Sequence, residues 1–417
     1  MLKLRPAIVV ESDDQDIEDA SAGREDHASA DNRVGVTGPR PGRRRSPTGE
    51  QRLVVELTGD RSGAPRAAVA DVSLVGRAEV GDEVIVNVQA LDLELGSGGF
   101  DVIHVNLTRG LAGEGVEGAN VMKLNYTSLQ HAILPVEDER LELPVGRPVA
   151  VLALHGQLAA VVWAFAQGAP SLRLGYVQTE GGALPGGHSR TVRELRRRGL
   201  LAGHLTAGAA FGGDGEAITT AGALHHGLRT LGWDAAVCGP GPGIVGSRSS
   251  LGHGGMSALD SAHVSLALGC QTLLVARMSS GDERARHRGI SHHTLTVLDL
   301  LLEPVTVALP AGMRSPVGTD LRAGLGAVFG GAIPGRPALA LDVERPVRIT
   351  RHDWRPAAID LPAYAASDLP TRTMGRGLAE DPLFFGSALA GGTALAEMAD
   401  RAAVDQASSK DGVGEIA

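Results

Sequence analysis

Aromatic residues are scarce in this chain: three Trp, three Tyr and six Phe amount to 3% of 417 residues. A groove for single-stranded nucleic acid stacks bases on aromatic rings and follows positive charge, whereas the formal net charge here is -9. Nucleic acid is therefore excluded as the expected partner, and the basic runs "GRRRS" and "RELRRRG" read as a solvated tail and a helix face. Cysteine is almost absent. Cys238 and Cys270 each sit in an apolar stretch without CxxC spacing, which excludes a disulfide framework or zinc ribbon and fits a reducing cytoplasm. Long apolar runs are missing as well. The N-terminal "MLKLRPAIVVESDD" turns acidic too early for a signal peptide. The stretch "PVAVLALHGQLAAVVWAFAQ" is interrupted by His155 and Gln157, so it reads as a buried strand entering a helix; neither export nor a membrane partner is expected.

Glycine, by contrast, is abundant, at 57 residues. Residues Leu2 to Val10 read as a strand. From Glu11 to about Gln51 the chain becomes acidic and then rich in Pro, Gly and Arg, too poor in large apolar residues to offset its ordering entropy, so a disordered insertion is expected there. "RLVVELTG", "AAVADVSLVG", "EVGDEVIVNV" and "FDVIHVNL" follow as short β-rich runs at the spacing of a small SH3/OB-like β-barrel, which assigns residues 1–142 to a first domain. From about Leu143 the period changes: continuous apolar strands alternate with helical patterns as far as "PVTVALP". Strands without polar alternation, each followed by a helix, imply a parallel sheet buried on both faces, so 143–345 is expected to be a Rossmann-like three-layer α/β domain. Residues 346–417 read as a C-terminal extension with one helix and a disordered end.

In such a sheet, ligands collect at the carboxyl ends of the strands. Each strand here runs into a loop rich in chemistry: "HGQ" with His155; "TEGGALPGGHSR" with Glu180, Gly181, Gly182, His188 and Ser189; "GGDGEA" with Gly212, Gly213, Asp214 and Glu216. The last two are "GPGPGIVGSRSSLGHGG", with Gly241, Gly243 and Gly246, and "SSGDERARHRGISHHT". Glycines let backbone amides approach a ligand and, with helix N-termini, cradle anions. "GPGIVG" also matches GxGxxG, but the acidic residue expected to end the next strand of a dinucleotide site is missing. A tight turn with close packing explains any one of these loops better than a ligand does; five on one edge call for a shared pocket holding Glu180, Asp214, Gly241, Arg288 and His292.

The last loop crowds three arginines and three histidines before a run of leucines, "RARHRGISHHTLTVLDLLL". With Ser291 as N-cap, His292 and His293 become the first helical residues, where the partial positive charge of the helix end favours neutral imidazole. Neutral imidazole serves as a general base or a metal ligand. Adjacent helical side chains diverge by about 100°, so two histidines alone rarely grip one ion, and a divalent metal stays a possibility rather than an assignment. Arg286, Arg288 and Arg284 near the same positive end require either Asp282 and Glu283 or a bound anion. His225 and His226 read as surface or packing residues, His204 lies on the wrong edge, and Cys238 lacks a base.

The motifs "TEGGALP", "AFGGDGEA", "GPGPGIVG", "RHRGISHHT" and "TMGRGLAEDPLFF", in that order, resemble the bacterial DUF3866 family, a domain of unknown function. The likeness covers most of the chain outside residues 11 to 51 and the last fifteen or so. Glu180 stands where the family pattern more often carries Asp. The resemblance implies the architecture and the motif positions but no reaction. It also implies a Gly turn followed by a helix from about Asp381, with Arg376 on that turn in reach of the anion site.

Two functional readings result. One is an enzyme acting on a phosphorylated or otherwise anionic small molecule, a hydrolase or transferase, with His292, His293 and Asp214 as catalytic groups and Arg286, Arg288, Ser291, Arg376 and the loop glycines as ligand contacts. The other is a non-catalytic nucleotide or metabolite sensor, with a homo-oligomer as a further possibility.

Overall fold

The computed structural model describes residues 1–13, 49–59, 63–94, 99–111, 113, 115–137, 140–247, 249–311 and 346–411. It divides into two compact units, Met1–Glu117 and Gly118–Ala417. In the first unit, β1 (Leu4–Ser12), β2 (Glu50–Leu57), β3 (Arg66–Asp71), β4 (Glu83–Asn87) and β5 (Asp101–Asn106) form a closed barrel in the order β1-β2-β3-β5-β4. β3 and β5 pair in parallel and the other pairs are antiparallel. Alternate residues such as Val84 and Val86 point inward with Val9, Val55 and Ile103, which is the half-buried pattern that the sequence carries. This is the expected SH3/OB-like barrel. Of the insertion expected over 11 to 51, residues 14–48 lie outside the described residues, while Glu11, Ser12, Glu50 and Gln51 are themselves strand.

The second unit opens with a hairpin of β6 (Val121–Lys123) and β7 (His131–Ile133). The sequence reading assigned this segment to the barrel domain, but its contacts lie in the second unit. The Lys123 ammonium is buried, pairs with Glu216 at 2.7 Å and donates to the carbonyls of Thr206 and Ala210, and Val136 N–H donates to the Glu216 carbonyl at 2.9 Å. The boundary placed near Leu143 from periodicity therefore falls inside this unit.

Eight parallel strands follow: β8 (Pro148–Leu152), β9 (Leu174–Thr179), β10 (Gly203–Thr206), β11 (Gly215–Glu216), β12 (Ala235–Pro240), β13 (Gln271–Val275), β16 (Thr306–Pro310) and β17 (Asp353–Ala357). They are ordered β11-β10-β9-β12-β8-β13-β16-β17. Two short ribbons complete the strands, β14 (Met278–Ser279) with β15 (Gly289–Ile290), and β18 (Arg372–Thr373) with β19 (Arg376–Gly377). Helices α1 (Leu158–Gly168) and α2 (Arg190–Arg197), which follow β8 and β9, pack on one face with the side chains of Leu152, Tyr176 and Val237. Helices α3 (Thr220–His225), α4 (Ser257–Ala267) and α5 (His292–Leu300) pack on the other with Val151, Val177 and Cys238. Because successive strand residues face opposite layers, strands buried on both sides need the unbroken apolar runs seen in the sequence. The connections after β8 and after its neighbours β12 and β13 leave toward opposite faces, which makes the carboxyl end of β8 a topological switch point.

The expected C-terminal extension is instead part of this unit. β17 adds the eighth strand, and the long helix α6 (Pro382–Asp411) buries Phe384, Phe385 and Leu389 in the layer with α1. The end expected to be disordered falls outside the described residues from 412 onward. Among the described residues no helix is long and apolar enough to cross a membrane.

Candidate functional site

The turn after β8 carries His155, which ties three loops together. Its Nδ1 lies 3.2 Å from the Pro240 carbonyl at the end of β12, and its Nε2 lies 2.7 Å from the hydroxyl of Ser189. Ser189 in turn caps α2 by accepting from Val192 N–H at 3.0 Å. Burial pushes the His155 pKa down to about 4, so the ring is a neutral cross-brace.

The loop glycines meet one another. A Cβ on Gly181 or Gly254 would overlap the backbone of the other, and one on Gly182 would overlap the Gly241 carbonyl. The loops after β9 and β12 therefore require glycine to approach each other, whatever they bind. In the loop after β10 the amides are already spent: Gly212 N–H donates to Glu216 at 2.6 Å and Gly213 N–H to the Thr206 hydroxyl at 3.2 Å. These two glycines do not cradle an anion. Gly243 has a φ of +70° and Gly246 pairs with His253 through an isolated bridge.

Asp214 is not brought to the histidines. The loop after β10 doubles back, so that Asp214 accepts from His204 N–H at 2.9 Å at the start of β10 and pairs at 2.8 Å with Arg196 in the last turn of α2. It lies beside the amino end of β10, a strand four positions and roughly 19 Å from β13. The expected single pocket thus loses Asp214 as a catalytic group. Glu180 is exposed at the carboxyl end of β9. His204 is buried and stacks on Tyr176 at 5.3 Å. Cys238 is buried, with its thiol pushed up to about 12 by that burial, consistent with a packing role.

After β13 the chain forms the β14–β15 ribbon, and the loop between its strands folds back over the start of α5. Ser291 is the N-cap, accepting from His293 N–H at 3.3 Å, and its hydroxyl also lies 2.8 Å from Nδ1 of His287. The arginines find protein partners. Asp282 is buried and accepts two guanidinium hydrogen bonds from Arg284 at 2.9 and 2.8 Å; Arg376 lies 3.4 Å away and Arg277 3.6 Å away. Burial alone would raise the Asp282 pKa, but the Arg284 hydrogen bonds and the surrounding positive charge hold it well below the ordinary carboxylate range. Arg288 donates to the carbonyls of Asp282 at 2.8 Å and Glu283 at 3.2 Å. Arg376 donates to Asp381 at 3.0 Å, and Asp381 also accepts from the Ser279 hydroxyl at 2.6 Å and the Ser280 amide at 2.8 Å. The C-terminal turn is thereby fastened to the β13 loop. Arg286 is exposed.

Inside this frame sits a cluster of imidazoles. His253 stacks on His293 with ring centroids 3.2 Å apart; His292 and His293 are 4.1 Å apart, and His287 lies 4.9 Å from each of the latter two. Arg277, itself buried, donates to Nδ1 of His293 at 3.2 Å. Burial first, and then the neighbouring rings and arginines, lower the pKa of His253 to about 4, of His287 to about 3 and of His293 to about 2. His292 is lowered by burial and by Arg286 and Arg277. The cluster is a set of neutral bases beside a cation. Both ring nitrogens of His253, Nε2 of His292 and Nε2 of His293 are buried without a hydrogen-bond partner.

The model of a family described as "Protein of unknown function (DUF3866)" matches residues 67–392. The chain belongs to the DUF3866 family. Neither a curated protein nor a solved structure matches it. The DUF3866 match starts inside β3 and ends within α6, so it takes in the loops after all five strands, the imidazole cluster and the Arg376–Asp381 turn. Within this DUF3866 chain, sequence reasoning placed His292 and His293 and missed His253 and Arg277. The histidine of "GHGG" was a legible signal, sitting in a strand-end loop. Arg277, directly after an apolar strand, carried no sign of its partner because that partner, His293, is sixteen residues away along the chain.

Proposed function

We propose that this DUF3866 protein is an enzyme acting on a phosphorylated or otherwise anionic small molecule at the carboxyl edge of its sheet, with the imidazole cluster as the reacting centre. The observation that carries this reading is the group of buried, unpaired ring nitrogens on His253, His292 and His293 beside Arg277. Unsatisfied buried polar atoms are costly, and titratable groups with strongly shifted pKa values gather where chemistry is done. A neutral imidazole keeps a lone pair for a proton or an electrophile, and the exposed Arg286, close enough to lower the pKa of His292, draws in an anion. Buried free Cys238 and Cys270 suit a reducing compartment, and we place the protein in the cytoplasm.

The test is a thermal-shift screen with inorganic phosphate and a panel of phosphorylated and carboxylated metabolites, followed by turnover assays on every stabilising compound. The expected result is a salt-sensitive stabilisation and a turnover that His292→Ala reduces by about 100-fold or more. Stabilisation without turnover by the wild type would make the protein a sensor. No stabilisation by any anion would retire the reading.

A further inference from the structure

The histidine cluster offers more than proton transfer. One ring nitrogen from each of His287, His292 and His293 lies within 4.8 Å of the other two. We propose that these three residues bind a divalent transition-metal ion, leaving one coordination position open for a ligand. The inference deepens the reading of this cluster as the reacting centre and rests on it for the role of that open position.

A tetrahedral ion with metal–nitrogen bonds of about 2.0–2.1 Å sets its ligands roughly 3.4 Å apart, so small rotations of the three rings complete the shell. The orientation of each ring suits this. The Ser291 hydroxyl holds Nδ1 of His287 at 2.8 Å, leaving its Nε2 for an ion, an outer hydrogen bond of the kind that aims metal-ligating histidines. Nε2 of His292 and Nε2 of His293 are buried without partners. Arg277 donates to Nδ1 of His293 at 3.2 Å, so an ion at Nε2 would require that ring to change tautomer, with Asp282, 3.6 Å from the guanidinium, as the acceptor to which Arg277 would turn. His253, stacked on His293, lies outside the converging trio.

The donor set decides the class of metal. Among the described residues no carboxylate joins the group, and Asp282, which faces Arg277, is engaged by Arg284 and Arg376, so the ligands are nitrogen alone. Imidazole nitrogen suits Zn²⁺, Co²⁺, Ni²⁺ or Cu²⁺, whereas Mg²⁺ and Ca²⁺ require oxygen. Three protein ligands with a fourth position open is the catalytic form of such a site, able to bind an anion or a water whose pKa falls to about 7.

The experiment uses the full chain, stripped with a chelator and titrated with Zn²⁺ by calorimetry and with Co²⁺ by visible absorption, no anionic metabolite being added. One equivalent of each is expected, the Co²⁺ form showing the intense bands of four or five coordination, and Mg²⁺ giving no heat. His292→Ala and His287→Ala should each weaken Zn²⁺ by about tenfold or more, while His253→Ala stays close to wild type. X-ray absorption on the wild-type Zn²⁺ complex needs no variant and should read imidazole nitrogens at about 2.0–2.1 Å. Absence of stoichiometric uptake, an all-oxygen shell, or folded His292→Ala and His287→Ala variants with undiminished affinity would overturn the site. Metal uptake without any anion turnover would leave the site standing and retire the proposed enzyme; turnover in a protein that takes up no Zn²⁺ would do the reverse.

Discussion

In the barrel, Asp82 accepts from Arg109 and Asn106, Asp101 accepts from Arg66, and the interior is small aliphatic side chains such as Val9, Ala70 and Val86. In the sheet unit, His155 and His204 are buried and neutral, and at the carboxyl edge whole ring nitrogens are left unpaired. The barrel's Arg66 and Arg109 are partly exposed and reach water when a carboxylate is lost, whereas His155 and His204 in the sheet unit are enclosed. Stability and chemistry therefore respond differently in the two units. Trp163, Trp233 and Trp354 all belong to the sheet unit, so tryptophan fluorescence follows that unit alone while far-ultraviolet dichroism follows both.

Acid should separate the units most. His155 and His204 keep pKa values of about 4 in the native protein because of burial, while in the unfolded chain they take up a proton below about 6.5. The unfolded state thus binds more protons between those values, and the stability that is full above pH 6.5 falls as the pH drops toward 4, by about 3 kcal/mol for each ring. Asp82 in the barrel, held at about 2 chiefly by Arg109, keeps its contribution above about pH 4 and loses it only below. The tryptophan transition should come at higher pH than the remaining dichroism change; coincident transitions would contradict the contrast.

Asp282→Asn comes next. It leaves Arg277 buried with a weaker partner and should lower the tryptophan-detected stability by about 3 kcal/mol, as breaking a buried ion pair does. Asp101→Asn should cost only about 1 kcal/mol, because Arg66 can turn to Asp92, already 2.9 Å away. Equal losses in denaturant titrations would mean that the two carboxylates are equivalent.

Glycines sharpen the same comparison. A Cβ on Gly175 would overlap the Trp233 ring, so Gly175→Ala should cost about 2–3 kcal/mol and shift the fluorescence spectrum. Gly81 has a φ of +94° with open space around it, and Gly81→Ala should cost about 1 kcal/mol of strain without altering fluorescence.

The smallest effect concerns Arg288. Sequence reading made it a ligand contact, but it donates to the carbonyls of Asp282 and Glu283. Arg288→Ala should therefore lower the melting temperature of the unliganded protein, by an amount equivalent to about 1 kcal/mol. An unchanged melting temperature would return Arg288 to the ligand.

Sequence alone determined the two fold classes, since alternation at period two marks the barrel strands and unbroken apolar runs mark strands covered on both faces. It also determined Ser291 as N-cap and His292 and His293 on the first turn of α5, because capping is local chemistry within three residues. Tertiary structure decided what those histidines meet. His253 comes from the loop after β12, Arg277 from the end of β13 and His287 from a loop folded back by the β14–β15 ribbon. It decided equally that Asp214 stays beside His204, since the turn after β10 reverses before β11, and that α6 packs beside α1 on one face of the sheet through Phe384 and Leu389. Periodicity records which side of an element is buried; it carries no record of which distant loop arrives to bury it.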